Sequence, residues 1–249
     1  MSAAGGGVGG FGFDASLAAI GTESRRLSDA VASSDLDVIV PSTPEWTVRE
    51  LAHHIGRGQW FWAENVVARD ADAMADVGVT PMPEDQDLLA WLGWCTYSLL
   101  HALREAGPDA PCWSWWPAPR TSGAVSRHQA QEVSVHRWDA ELAAGGRSLG
   151  APGALAPDVA TDGVGEFIET MIGDRVEALT GEVMLFASDT GGSWRVGTVR
   201  DGGGSRRAEL RAPASDLVLM LYRRLPVPDA DVEGDPMLVA SLLSLGQTQ

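Results

Sequence analysis

Apolar residues fall into two regimes along the chain, helical up to about residue 145 and mixed beyond it. Leu17, Ile20, Leu27 and Val31 recur at spacings of three, seven and four and give one apolar face to a helix over residues 14–33. Pro41 and Pro44 each bias the preceding residue away from helix, so residues 41–44 read as a turn or extended stretch. Thr47 then has the character of an N-cap, with Glu50 three residues on completing a capping box. Val48, Leu51, Ile55 and Val66 follow on a second helix, and Gly56 and Gly58 predict a kink in it. Leu88, Leu92, Leu99 and Leu103 mark a third helix over residues 84–104, closed by Gly107 and Pro108. A loop rich in Pro and Trp leads to a fourth helix over residues 122–144, which Gly145 and Gly146 stop. Four helices of this length with modest loops predict a bundle.

Residues 151–157 are rich in Ala, Pro and Gly and read as a linker. Val164, Phe167, Ile168, Met171 and Ile172 predict a helix over residues 158–175. Strands are expected over residues 183–187, 194–199 and 208–211, with a short one at Val232, and helices over residues 214–224 and from Asp235-Pro236 onward. The fold class is therefore α+β. Residues 1–13 form a glycine-rich tail, residues 14–148 a four-helix bundle, and residues 155–249 a smaller α+β domain.

Composition narrows the partners. Eighteen basic against 34 acidic side chains give a net charge of −16, which repels nucleic-acid backbones and anionic membranes. No apolar run approaches the roughly 20 residues of a membrane span. The first 12 residues lack the basic and apolar regions of a secretory signal. Every basic side chain is Arg, so Schiff-base and lysine-base chemistry have no lysine to use. Cys95 and Cys112 are too few for a disulfide framework, and Cys95 lies in an apolar run that reads as core. A reducing cytoplasm is the expected location.

Candidate chemistry concentrates on the fourth helix. Glu132 and His136 are four residues apart and project from one helical face, so they can supply two metal ligands. His54 on the second helix is the natural third, because a bundle turns side chains of different helices toward one interior. Spacing alone is weak, since a solvated face or a side-chain hydrogen bond explains most such pairs. Two histidines and one carboxylate would leave coordination positions uncovered, as catalytic sites do. Zinc is the default for this ligand mix, although nickel, iron or copper can also be held.

Longer motifs surround these residues. The run from Pro44 through Trp46, Thr47, Val48, Leu51 and His54 to Gly56 resembles the P-x-W-T-V-x-x-L-x-x-H-[LI]-G segment of the mycothiol-dependent maleylpyruvate isomerase family, within the wider DinB-like metal-binding bundles. Glu132 to Glu141, with His136, Arg137, Trp138 and Asp139, resembles that family's E-x-x-x-H-R-W-D-A-E signature. Residues 216–224 and 232–236 resemble its C-terminal domain. The resemblance spans nearly the whole chain after the glycine tail, and it implies metal ligands at His54, Glu132 and His136. His53 lies about 100° round the helix and faces elsewhere. The resemblance further implies mycothiol as a thiol cofactor, bound at the metal as thiolate. The thiolate would add to a small electrophile, in cis–trans isomerisation or S-transfer.

Family members often carry His before the Glu and paired arginines one turn earlier; here Gln131 and Arg127-His128 stand instead. His128 shares the ligand face, as a partner to a ligand, a general base or a polar core residue. Arg224 is expected to receive a substrate carboxylate, and Arg224 and Arg137 to bind the thiol cofactor, with pairing to Asp139 or Glu141 as the alternative for Arg137. Asp139 can orient His136 or another ligand, or lie on the helix surface. Trp60, Trp62, Trp91, Trp94 and Trp138 read as core, while Trp113, Trp115 and Trp116 could wall an apolar pocket. A thiol-independent metalloenzyme and a non-catalytic metal-binding module are the alternatives.

Overall fold

The computed structural model describes residues 11–78, 83–145, 151–198, 206–228 and 231–246; the glycine-rich run expected to form a tail lies almost wholly outside them. The chain divides into two compact units, one over Gly12–Gly153 and the other carrying Ala154–Gln249.

The first unit is the bundle: α1 (Phe13–Ala32), α2 (Val48–Ala68), α3 (Leu88–Ala106) and α4 (Ser122–Ala144). Leu27 and Val31 of α1, Leu51 and Ile55 of α2, Leu88 and Leu92 of α3, and Val133 and Ala140 of α4 meet in one buried cluster. Residues read as a turn between α1 and α2 form a small antiparallel hairpin, β1 (Ile39–Val40) and β2 (Thr43–Thr47), turning at Pro41 and Ser42. Its base is tied to the start of α2, where the Val48 and Arg49 amides donate to the Val38 and Leu36 carbonyls at 2.9 and 3.0 Å. The capping box forms as its sequence predicts: the Glu50 amide donates to Thr47 Oγ1, and the Thr47 amide to the Glu50 carboxylate.

α2 is one unbroken helix through Gly56 and Gly58. Gly56 serves packing. A β-carbon there would overlap the Trp91 ring of α3, so its missing side chain is what lets the two helices approach. Gly56→Ala should therefore destabilise by about 1–3 kcal/mol through overpacking, more than the ~1 kcal/mol of helix propensity it gains. A melting temperature equal to or above that of the wild type in a thermal melt would contradict this. Trp62 and Trp138 are buried as expected, but Trp94 is 45% exposed and stacks on Trp60 at 4.3 Å. Its position on α3 points outward, a direction that a spacing argument on one helix does not resolve.

The second unit is α+β. Its first helix, α5 (Pro157–Glu166), does not continue as an α-helix to residue 175; it widens into a π-turn segment over Phe167–Ile172 and then tightens into a 3-10 helix over Gly173–Ala178. Phe167, Met171 and Ile172 are still buried, so the apolar positions are used but with a different winding. The sheet has the order β4 (Ser193–Gly197), β3 (Glu182–Ala187), β5 (Arg207–Ala212), β6 (Val232–Gly234). β3 pairs antiparallel with β4 and parallel with β5, and β5 pairs antiparallel with β6. Alternate residues Val183, Leu185 and Ala187 of β3 and Ala208, Leu210 and Ala212 of β5 are buried, as the period-two pattern requires. Two helices complete the unit, α6 (Ala214–Leu221) and α7 (Pro236–Leu245), and Asp235 caps α7 through the Met237 amide. α6 stops short of residue 224 because Arg223 takes a left-handed φ of 59°, which ends the helix. No helix among the described residues is long and apolar enough to cross a membrane.

Candidate metal centre

Two helices and one hairpin assemble the site. α2 presents His54 from its second turn, and α4 presents Glu132 and His136 one turn apart on one face. The ligand atoms of the three side chains all lie within 4.8 Å of one another. His54 Nε2 is 3.0 Å and His136 Nε2 3.5 Å from the same Glu132 oxygen. Tetrahedral ligands on zinc bonds of about 2.1 Å sit about 3.4 Å apart, so the donor set fits a divalent cation of that size. The centre is open on one side: His136 is 5% exposed, but His54 and Glu132 keep 26% and 23%. Uncovered positions of that kind separate a site for chemistry from a closed structural one.

A ring of further contacts fixes the ligands. His136 Nδ1 donates to Asp139 Oδ2 at 2.9 Å, and the hydroxyl of Ser42 donates to Asp139 Oδ1 at 2.6 Å. The Trp46 ring lies 4.6 Å from that of His54 and 5.8 Å from that of His136, covering both. Asp139 thus takes the orienting position that its spacing allowed. Sequence reasoning did not single out Ser42, and it placed Trp46 in the motif around His54 without a role. Both stand on the hairpin, Ser42 at its turn and Trp46 on β2.

Burial alone would raise the Glu132 carboxyl, but hydrogen bonds from His136 and His54, and their charge, hold it well below the usual carboxylate range. Burial alone would lower the His136 imidazole, but its hydrogen bonds to Asp139 and Glu132 outweigh that and raise it to about 9. In the metal-free protein, a proton on His136 stands where a cation would. Metal must displace it, so affinity for zinc should climb about tenfold per pH unit up to pH ~9. The unfolded chain loses this proton near 6.5 and the folded chain near 9, so metal-free protein should lose stability as pH rises through that window. Glu132 works in the opposite sense, with stability lost as pH falls below about 4.5. Thermal melts of chelator-treated protein at pH 6.5 and 9 check this, and a melting temperature no lower at pH 9 would contradict it.

The remaining candidates fall elsewhere. Arg137 is fully buried and turned away from the ligand pair: it donates to Glu23 at 2.6 Å, to Glu141 at 2.9 Å and to the Gly153 carbonyl. Arg26 donates to Glu141 at 2.9 Å. Of the pairings expected for Arg137, the one with Glu141 is formed, and Glu23 joins it. His128 is buried one turn before Glu132, its ring 5.1–5.9 Å from those of Trp62, Trp115 and Trp116. Trp116 is buried and Trp115 44% exposed, so the aromatic cluster encloses His128 more than it walls an open pocket. Arg224, in the second unit, lines a cavity of about 580 Å³ with Arg223, Met220 and Leu225, and its guanidinium donates to the Tyr222 carbonyl. His53 stacks on Trp91 at 5.5 Å, on a different side of α2 from His54.

Residues 17–141 match the family model described as the mycothiol maleylpyruvate isomerase N-terminal domain, and residues 158–241 match that of the MDMPI C-terminal domain. Among solved structures, a mycothiol-dependent maleylpyruvate isomerase and a histidine-to-alanine mutant of it are similar in fold. Each aligns with a TM-score of 0.62 at 13% identity, over 90% of this chain and 93% of the other. No curated protein matches the chain.

Proposed function

Because the chain belongs to the mycothiol maleylpyruvate isomerase family, we propose that it is a metal- and thiol-dependent enzyme acting on a small electrophile. The observation that carries this reading is the convergence of His54, Glu132 and His136 from two helices. Zinc is the metal we assign, since two imidazoles and one carboxylate form a borderline donor set. One carboxylate against a dication leaves a net charge of about +1, which favours an anion in the open position. When bound, the metal supplies a Lewis acid that keeps the sulfur of a low-molecular-weight thiol deprotonated at neutral pH.

The chain's own groups do the rest. Asp139 keeps the Nδ1 proton on His136, which leaves Nε2 as the coordinating atom. Trp46 packs against the rings of both His54 and His136. In the isomerisation we infer, the thiolate sulfur bonds to one carbon of a conjugated C=C, and the π electrons move onto the neighbouring carbonyl oxygen. The former double bond rotates, and the returning electron pair expels the thiolate. No oxidant or reductant is consumed. We assign Arg224 to the carboxylate of substrate or thiol, where a guanidinium can bind bidentately. His128 is our candidate for exchanging a proton with the substrate. Two buried unpaired cysteines suit the reducing cytoplasm that a free thiol cofactor also needs.

Titrating zinc-loaded and chelator-stripped protein with mycothiol tests the proposal calorimetrically. The loaded protein should bind with release of close to one proton per thiol, and the stripped protein at least ~100-fold more weakly. Equal affinity with and without metal would refute it, as would turnover of maleylpyruvate at full rate without thiol.

A further inference from the structure

The structure assigns Ser42 a positioning role: its hydroxyl sets the Asp139 carboxylate that orients His136, so the hairpin before α2 governs a metal ligand on α4. The inference rests on the metal reading of the same centre and adds a residue to it. Ser42 sits at the hairpin turn, and its hydroxyl reaches across 97 positions of sequence to a carboxylate that is fully buried. A hydroxyl facing a carboxylate can only donate, and at 2.6 Å the bond has the length of a charge-assisted one. Ser42 holds Oδ1, and Oδ2 accepts the His136 Nδ1 proton at 2.9 Å. A carboxylate cannot donate, so the imidazole must present Nε2 toward Glu132 and the cation position.

The same hairpin reaches the other histidine. Trp46 stands on β2, four residues after Ser42, and its indole packs against the rings of both His54 and His136. The hairpin base is hydrogen-bonded to the first turn of the helix that carries His54. One short element therefore spans α2 and α4 and sets the ligands of each relative to the other. A simple surface turn would leave its serine in solvent rather than against a buried acid.

Ser42→Ala removes the donor and Ser42→Thr keeps it. Zinc affinity is measured by competition with a chromophoric chelator, and the His136 Nδ1–H is followed in zinc-loaded, nitrogen-15-labelled protein. Ser42→Ala should bind zinc about 10-fold more weakly, within the 10–100-fold range typical of such outer partners. The exchange-protected Nδ1–H resonance should broaden or vanish. Ser42→Thr should restore both to within about twofold. Asp139→Asn, whose amide can offer a donor where His136 needs an acceptor, should cost more than Ser42→Ala. Melts of metal-free Ser42→Ala confirm that the comparison is made on folded protein. Zinc affinity of Ser42→Ala within about threefold of wild type, or equal losses in the Ala and Thr variants, would overturn the role of the hydroxyl. Wild-type protein that binds no zinc would instead sink the metal reading on which it stands.

Discussion

Replacing Glu132 with alanine is expected to abolish tight metal binding, lowering zinc affinity by more than ~100-fold while the bundle stays folded. The reason is geometric as well as electrostatic. One Glu132 oxygen faces both His54 Nε2 and His136 Nε2, so this side chain is the hub of the cluster. It is also the only anion among the three proposed ligands. Removing a group that bonds the cation should exceed the 10–100-fold cost of losing a partner that only orients a ligand. Glu132 contributes little to the apolar packing of the bundle, since its side chain is 23% exposed and it stands outside the buried apolar cluster. Metal analysis of purified wild type and Glu132→Ala, beside far-ultraviolet circular dichroism, checks both halves. Retained stoichiometric zinc in the variant would contradict the assignment.

Arg137→Met should be the most destabilising single change outside the apolar core, at about 3–5 kcal/mol, because it leaves the buried Glu23 and the partly buried Glu141 short of a partner. Glu23 and Glu141 both accept from this fully buried guanidinium, and the Gly153 carbonyl does as well. Arg26 still reaches Glu141 and Glu23, at 2.9 and 3.4 Å, but from a half-exposed position where the charge is better screened. At about 2–4 °C per kcal/mol for a chain of this size, the melting temperature should fall by roughly 6–20 °C. Adding Glu23→Gln should recover part of the loss, since it removes one of the stranded charges. An arginine reserved for substrate would behave differently: Arg137→Met would then melt like wild type and lose ligand affinity. That outcome would reverse the structural role assigned here.

Much of the site was legible because its signals are local. The Glu132–His136 spacing fixes two donors on one face of a regular helix, and the motif around His54 names the third. The capping box at Thr47 and Glu50 was legible for the same reason, as its partners are three residues apart. The misses share one physical cause, dependence on a partner distant in sequence. Gly56 reads as a weak point in α2, and its packing role shows only when Trp91 of α3 is seen against it. Arg137 keeps two roles open until Glu23, 114 residues away, is found beside it. Trp94 reads as core from its own helix and turns outward in the bundle. Ser42 carries no signal beyond a proline-flanked turn, and Trp46 none beyond its place in the motif around His54, because their work depends on where the hairpin lands. Beyond Glu166, the apolar spacing fits an α-helix, yet the chain winds as a π-segment and then a 3-10 turn while burying the same residues. Periodicity predicts which side chains go inward more firmly than how the backbone delivers them.

The most direct test of the account is X-ray absorption at the zinc edge of the loaded protein, before and after addition of mycothiol. The account predicts a first shell of light atoms at about 2.0–2.1 Å from His54, Glu132 and His136 with solvent completing it. Thiol should then bring in one sulfur at about 2.3 Å in place of an oxygen. A spectrum unchanged by thiol, or a zinc shell that persists when His54 and His136 are both replaced by alanine, would contradict it.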